Sequence, residues 1–219
     1  MNICLINPPS IISRYASVGE LVPPIGLAYI TSVLKQANHK VQVIDAIGEN
    51  VVDNFPYRGN LVRRGISFEE IVARIDKNTD IIGFSGMFSS QWPHYKELIQ
   101  QLKKSNPDLL IIGGGEHFTA IPEYSLQTCP ELDLCVLGEG EQILLNITNK
   151  LSTGEKFDKL KGVAYRSDKK IILNSTTSRI MNVDELPLPD WEEFPMENYL
   201  AYGTGWGVGK RRVMPIIAT

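Results

Sequence analysis

Asp108-Leu109-Leu110-Ile111-Ile112-Gly113-Gly114-Gly115-Glu116-His117 is the stretch whose reading decides the fold. Its apolar run is too short for a solvent-exposed helix and suits a buried strand, and it ends abruptly in three glycines and two residues capable of polar chemistry. The same plan recurs where Ile81-Ile82-Gly83-Phe84 runs into Ser85-Gly86-Met87, and where Leu134-Cys135-Val136-Leu137 runs into Gly138-Glu139-Gly140-Glu141. Buried strands that each finish at a glycine-bearing tip describe a parallel sheet whose carboxyl edge is the working edge.

Two further strands precede these. Ile3-Cys4-Leu5-Ile6 is closed by Asn7-Pro8-Pro9, because proline cannot donate to a ladder, and Val41-Gln42-Val43-Ile44-Asp45 follows a helix that starts near Pro24 and carries Leu27, Ala28, Ile30, Thr31, Val33 and Leu34 at helical spacing. The first βαβ unit is thus complete by Asp45, with a right-handed crossover expected. The loop over residues 10–24 is longer than an ordinary strand-to-helix connection and reads as a binding or lid segment, whereas residues 46–65 read as irregular or as one short helix. Ser67 and Glu70 stand at capping-box spacing before a helix, and Pro93 and Pro122 fit the first turns of two more. Residues 141–151 form a last helix with Ile143, Leu144 and Ile147 on its apolar face.

The expectation is therefore an α/β, flavodoxin-like (Rossmann-like), doubly wound, five-stranded parallel sheet over residues 1–151. A β-hairpin extension over 152–183 turns at Ser167-Asp168-Lys169-Lys170, and a proline-rich, then aromatic and glycine-rich linker runs over 184–219. The closing Met214-Pro215-Ile216-Ile217-Ala218-Thr219 reads as a strand that belongs to a further domain.

Composition bounds the function. The 219 residues are 43% hydrophobic and 21% charged with a formal net charge of −3, which with no basic stripe gives no support to a nucleic-acid partner. No uncharged apolar run reaches membrane-spanning length, and the opening residues lack a secretory leader. Cys4 and Cys135 sit in apolar runs and Cys129 in a loop, none at metal-ligand spacing, so a reducing, cytoplasmic compartment is expected.

Glycine-tipped parallel strands suit a nucleotide, flavin, dinucleotide or corrinoid. A dinucleotide fingerprint is missing at Asn7-Pro8-Pro9, and Gly113-Gly114-Gly115 opens neither a P-loop nor a dinucleotide helix. No nucleophile elbow, paired carboxylates or Cys-His arrangement stands at convincing spacing, and Glu139 and Glu141 are also explained as helix caps. The piece reads as a cofactor holder with no catalytic residue of its own; a flavin- or nucleotide-binding oxidoreductase domain and a non-catalytic docking module stay open as alternatives.

Taken together, Asn7-Pro8-Pro9, Pro23-Pro24-Ile25-Gly26-Leu27-Ala28-Tyr29, Val43-Ile44-Asp45-Ala46, Gly83-Phe84-Ser85, Gly113-Gly114-Gly115-Glu116-His117 and Gly138-Glu139-Gly140-Glu141 resemble the cobalamin-binding domain of class B radical S-adenosylmethionine enzymes. The subgroup most resembled includes the anaerobic magnesium-protoporphyrin monomethyl ester cyclase. The resemblance implies base-off cobalamin on the carboxyl edge, its nucleotide tail threaded between strand tips. It also implies a radical S-adenosylmethionine domain in cis, beginning near residues 213–219, that would carry the [4Fe-4S] cluster and S-adenosylmethionine for methyl transfer or cyclisation of an unidentified small molecule.

The resemblance stops short of the cobalt-ligating histidine of many such domains, since Pro8-Pro9-Ser10-Ile11-Ile12 contains none. Carried over residue by residue, it places Pro9 and the loop residues Leu21 and Val22 at the corrin, and Ser85, Gly86 and Met87 at the third-strand tip. Gly113, Gly114 and Gly115 would leave room for a flat base, Glu116 and His117 would bond the tail, and Gly138, Glu139 and Gly140 would close the other side. Plainer readings stand beside these: a strand-to-helix cap at Ser85, core packing at Met87, a surface loop histidine at His117. Trp191 and Trp206 read as docking surface for the further domain.

Overall fold

The computed structural model describes residues 1–16, 21–168, 170–175 and 183–202. In chain order the elements are β1 (Asn2–Asn7), β2 (Ser10–Ser13), α1 (Ile25–Gln36), β3 (Lys40–Asp45), α2 (Ala46–Glu49), β4 (Asn54–Pro56), β5 (Leu61–Arg64), α3 (Phe68–Arg74) and β6 (Ile81–Ser85). There follow α4 (Trp92–Ser105), β7 (Leu110–Gly114), α5 (Glu116–Ala120), α6 (Pro122–Thr128), β8 (Leu134–Val136), α7 (Gly140–Ser152), β9 (Val163–Ser167), β10 (Lys170–Leu173) and α8 (Met196–Tyr202).

The main sheet has seven strands in the order β10-β9-β8-β7-β6-β1-β3, where five were expected. Its five αβ-repeat strands pair in parallel, with Ile3 opposite both Val41 and Ile81 and Ser85 opposite Gly114. The expected hairpin exists, but β9 pairs antiparallel with β8 through Leu134–Tyr165 and Val136–Val163 and extends the sheet, because the three-residue β8 otherwise leaves an apolar edge unpaired. Asp168 turns this hairpin in the left-handed region, φ 53°.

Residues 46–65 hold a second correction. They carry the short α2 and two strands, and β2, β5 and β4 form a separate three-stranded antiparallel sheet. Phe55 and Pro56 are exposed and the pairing joins segments some fifty residues apart, so neither periodicity nor turn chemistry marks it. The capping box at Ser67 and Glu70 is formed reciprocally, and Pro93 and Pro122 stand in the first turns of α4 and α6.

Two apolar layers cover the sheet. Phe68 and Ile71 of α3, Leu98, Ile99 and Leu102 of α4, Phe118 of α5 and Leu126 of α6 pack on one face with Ile6, Ile82, Phe84 and Ile111. Leu27, Ala28 and Leu34 of α1 and Ile143, Leu144 and Ile147 of α7 pack on the other with Ile3, Leu5 and Ile112. Cys4, Cys129 and Cys135 are all buried reduced thiols, as small hydrophobes are; burial pushes the Cys4 and Cys129 thiols up to about 12 and raises that of Cys135 as well.

Residues 186–202, expected as an irregular linker, are packed. Trp191, half-buried, and Phe194, buried, lie against the α1–α7 layer, and α8 reaches the tip of β3. The strand expected at the close of the chain and Trp206 lie outside the described residues.

Candidate functional site

The order of the parallel strands reverses between β1 and β6: the chain leaves β1 for β3 on one side and β6 for β7 on the other. The carboxyl ends there diverge into a crevice, the usual place for a ligand in an open α/β sheet. Asn7, Pro8 and Pro9 form one lip and Ser85, Gly86 and Met87 the other. The small sheet walls this crevice, because the Gln91 amide, from the 3-10 turn Ser89–Gln91, holds the backbone of Ile11 in β2 through two bonds of 2.8 Å.

The glycine tips divide by what excludes a side chain. At Gly113 a Cβ would stand 2.7 Å from the Phe118 ring, and at Gly86 2.5 Å from the same ring, so both glycines make room for Phe118. Gly115 has φ +100°, and a Cβ there would meet the Gly86 carbonyl oxygen at 2.7 Å. That carbonyl accepts from the His117 N–H at 3.0 Å, and the Gly86 N–H donates to the Gly114 carbonyl at 2.8 Å, so the β6 and β7 tips are laced together. At Gly114 and Gly138 nothing lies within 4 Å of the Cβ position. These two open into the edge. Gly140, opening α7, is tight against Ile30 at 3.2 Å.

Exposed apolar side chains follow the β6 tip and precede α1, while carboxylates flank the open glycines. Met87, Phe88 and Val22 are 53%, 65% and 46% exposed, and Leu21 is half-buried. Tyr95 of α4 packs edge-on against Phe84 of β6, with ring centroids 5.5 Å apart. Ser85 is half-buried at the end of β6, Glu116 and Glu139 are exposed, and Pro8 and Pro9 of the opposite lip are buried. Glu139 stands at the N-cap of α7 without a side-chain capping bond, and Glu141 lies in the first turn, where carboxylates suit the helix dipole. Burial, and then the Glu139 charge, hold the Glu141 carboxyl above its usual range.

His117 is no surface histidine. It is 1% exposed, its ring stacks on Trp92 at 4.8 Å, and its two nitrogens lie 3.0 Å from Ser89 Oγ and 3.1 Å from Ser125 Oγ. Burial lowers its pKa. Reading residue types alone missed Ser89 and Trp92; the six-residue spacing from strand tip to helix start was the available sign that a structured turn lies between them.

A second polar centre was also missed. Asp45, 1% exposed at the tip of β3, accepts from Asn7 Nδ2 at 2.7 Å, from the Gly48 N–H at 3.0 Å and from the Tyr199 hydroxyl at 2.8 Å. A carboxylate at a strand end beside an asparagine at the next is its sequence mark, but Tyr199 lies 154 positions away.

None of the three histidines offers a free imidazole at the crevice. His117 is engaged on both nitrogens, His39 bonds Asn149 and the amino terminus, and His94 sits on α4 beside Tyr57 with a buried, unpartnered Nδ1. Among the described residues no cluster of three His, Cys, Asp or Glu side chains suits a metal, and no helix is long and apolar enough to cross a membrane. The edge thus offers two glycine positions open to a ligand, exposed Met87 and Phe88, and the carboxylates of Glu116 and Glu139.

A family model described as a B12 binding domain matches residues 13–148. The chain is 31% identical over 209 residues to an uncharacterized methyltransferase of Pyrococcus horikoshii, aligned over 95% of this chain and 42% of that protein. It is 30% identical over 208 residues to the anaerobic magnesium-protoporphyrin IX monomethyl ester cyclase of Synechocystis, over 93% of this chain and 38% of that one. The chain spans less than half the length of these relatives. In fold it is similar to the cobalamin-dependent S-adenosylmethionine radical enzyme OxsB solved with aqua-cobalamin and S-adenosylmethionine bound, with a TM-score of 0.68 at 20% identity over 90% of this chain and 25% of that one. With the match covering more than half of its residues, the chain belongs to the B12 binding domain family.

Proposed function

We propose that this chain is the corrinoid-holding part of a cobalamin-dependent radical S-adenosylmethionine enzyme. The corrin lies on the carboxyl edge against Val22, Leu21 and Met87, and the nucleotide tail passes down beside Ser85, Gly114 and Gly138, with Glu116 and Glu139 at its margin. Pro9, Gly86, Gly113, Gly115, His117 and Gly140 shape this cradle from behind. The observation that carries the reading is the open Cβ position of Gly114 on the carboxyl edge, one strand from the reversal, in a B12-family chain. When bound, cobalamin supplies a cobalt centre able to carry a methyl group or pass an electron. The chain's own work is to bind, orient and exclude water, and no histidine of the edge stands ready to ligate cobalt from below, which suits a base-off form without a protein imidazole.

The [4Fe-4S] cluster, S-adenosylmethionine and the substrate belong, in this proposal, to the longer protein, whose reaction is methyl transfer or oxidative cyclisation; its relatives are named as a methyltransferase and a cyclase. Titration of the chain with hydroxocobalamin, followed by absorbance and calorimetry, is expected to give saturable one-to-one binding with a base-off spectrum. A folded chain that takes flavin mononucleotide and refuses hydroxocobalamin overturns the proposal in favour of a flavin domain.

A further inference from the structure

The buried imidazole behind the β6–β7 rim has a determinable tautomer. Ser125 Oγ lies 2.9 Å from the Ile121 carbonyl, four residues back in its helix, and 3.1 Å from His117 Nε2. A serine has one proton to give. Spent on Ile121, as in the usual back-bond of a helical serine, it leaves Ser125 Oγ to accept from Nε2–H. Nδ1 of a neutral ring is then bare and accepts the Ser89 hydroxyl proton at 3.0 Å. The rest of the surroundings leaves the ring uncharged: Trp92, Tyr95 and Phe118 pack on it, and Tyr95, the only titratable side chain among them, is pushed up by burial and keeps its proton. Ser89 itself is exposed on the turn that follows Met87 and Phe88.

We propose that His117 holds Ser89 as an acceptor-only hydroxyl on the rim of the crevice, and that this oxygen takes a neutral N–H donor of the bound ligand, specifically one of the primary-amide groups that fringe a corrinoid. The proposal rests on the cobalamin reading. Its polarity comes from the relay: the proton of Ser89 points inward, so only lone pairs face the ligand. Protonation of His117 reverses this, because Nδ1–H then donates to Ser89 and turns the hydroxyl proton outward, presenting a donor to a donor. Ser89 acts here as a binding residue and His117 as the positioning residue behind it.

The test uses the full 219-residue chain. Proton–nitrogen correlation spectra of a sample labelled in histidine are expected to give the Nε2–H tautomer for His117 at neutral pH, with Nδ1 shifted by the loss of its donor in Ser89→Ala. In hydroxocobalamin titrations Ser89→Ala is expected to bind about 3- to 10-fold more weakly, the loss of one neutral hydrogen bond, with Ser89→Thr restoring most of it. The wild-type affinity is expected to fall on acidification through the lowered His117 pKa, and this dependence is expected to vanish in Ser89→Ala, which a merely structural serine would not do. An Nδ1–H tautomer, or wild-type binding matched by Ser89→Ala at both acidities, overturns this inference alone. Failure of the folded wild-type chain to bind hydroxocobalamin overturns the cofactor reading and, with it, the ligand named here.

Discussion

Gly113 and Gly114 are adjacent and chemically identical, yet they face opposite constraints: one backs onto the Phe118 ring at 2.7 Å and the other has nothing within 4 Å of its absent side chain. Phe118 is fully buried and wedged by Trp92 and Phe84, so it cannot retreat, and Gly113→Ala is expected to cost about 1–3 kcal/mol, read as a lower urea midpoint. Gly114→Val suits a strand residue and is expected to unfold near the wild-type midpoint while weakening hydroxocobalamin binding by more than about tenfold. Equal destabilisation of both variants with binding intact would remove Gly114 from the site. The pair explains how far the site was legible. A run of glycines says that a side chain is unwelcome, and it locates the edge, but it does not say what excludes the side chain. Phe118, the agent at Gly86 and Gly113, reads in sequence as an ordinary core residue. His117, likewise, is polar and follows the glycines, so it reads as a ligand contact; its burial depends on Trp92 and Ser125, which arrive from α4 and α6.

At the scale of elements, the hairpin shows what period and turn chemistry carry and what they leave out. The alternating runs over residues 163–167 and 170–173 and the polar turn between them identify β9 and β10, but nothing local says that β9 will complete the sheet beside β8. The answer lies in Arg166. Its guanidinium reaches under α6 and donates to the carbonyls of Leu126 at 2.7 Å and Pro130 at 2.6 Å and to that of Leu132, which are groups left over at a helix end and the turn after it. One arginine thus satisfies the C-terminal end of α6 and binds the hairpin to the αβ repeat. Arg166→Ala leaves those carbonyls without their charged donor and is expected to cost about 1.5–3 kcal/mol, with amide exchange accelerated over residues 126–135 and 163–173 together. Arg166→Lys is expected to recover little, since an ammonium cannot fork across several carbonyls. Acceleration confined to the hairpin would mean that β8 and α6 stand without it. The small sheet β2-β5-β4 escaped a reading from sequence for the same reason in stronger form: its strands are short, half-exposed and far apart along the chain, so only the assembled edge, through Gln91 and Ile11, gives them a place.

Across the whole molecule, residues 186–202 form a strap that ties α1 to the edge bearing the candidate site. Lys35 pairs with Asp190 at 3.0 Å and Glu193 at 3.2 Å, the Asp190 N–H donates to the Ala28 carbonyl at 3.1 Å, and Trp191 and Phe194 pack on the apolar layer. The strap ends in the Asp45 centre, where Asn198 Nδ2 donates to the Gly48 carbonyl at 2.9 Å and Tyr199 is fitted so closely that a Cβ on Gly48 would stand 2.5 Å from its ring. α8 therefore ends on the carboxyl edge, one strand from the β1–β6 crevice. The pin is electrostatically costly. Burial raises the Asp45 pKa, and the bonds from Asn7, the Gly48 N–H and Tyr199, which favour the carboxylate, offset this only in part. A carboxyl whose folded pKa is raised is held best when protonated, so its contribution is full at low pH and is lost as pH rises through the folded value. Asp45→Asn keeps an oxygen for Asn7 and Gly48 and an amide for the Tyr199 oxygen, yet cannot ionise. Its stability relative to wild type is expected to rise from mildly acidic to neutral pH. Tyr199→Phe removes one donor from the buried carboxylate and is expected to cost about 1–3 kcal/mol at neutral pH and less in acid, with faster amide exchange over residues 190–202. Urea unfolding of the three proteins across that range decides the matter: a pH-independent difference between wild type and Asp45→Asn would mean that Asp45 stays ionised throughout, and a Tyr199→Phe variant as stable as wild type would mean that the strap is held by Trp191, Phe194 and Lys35 instead.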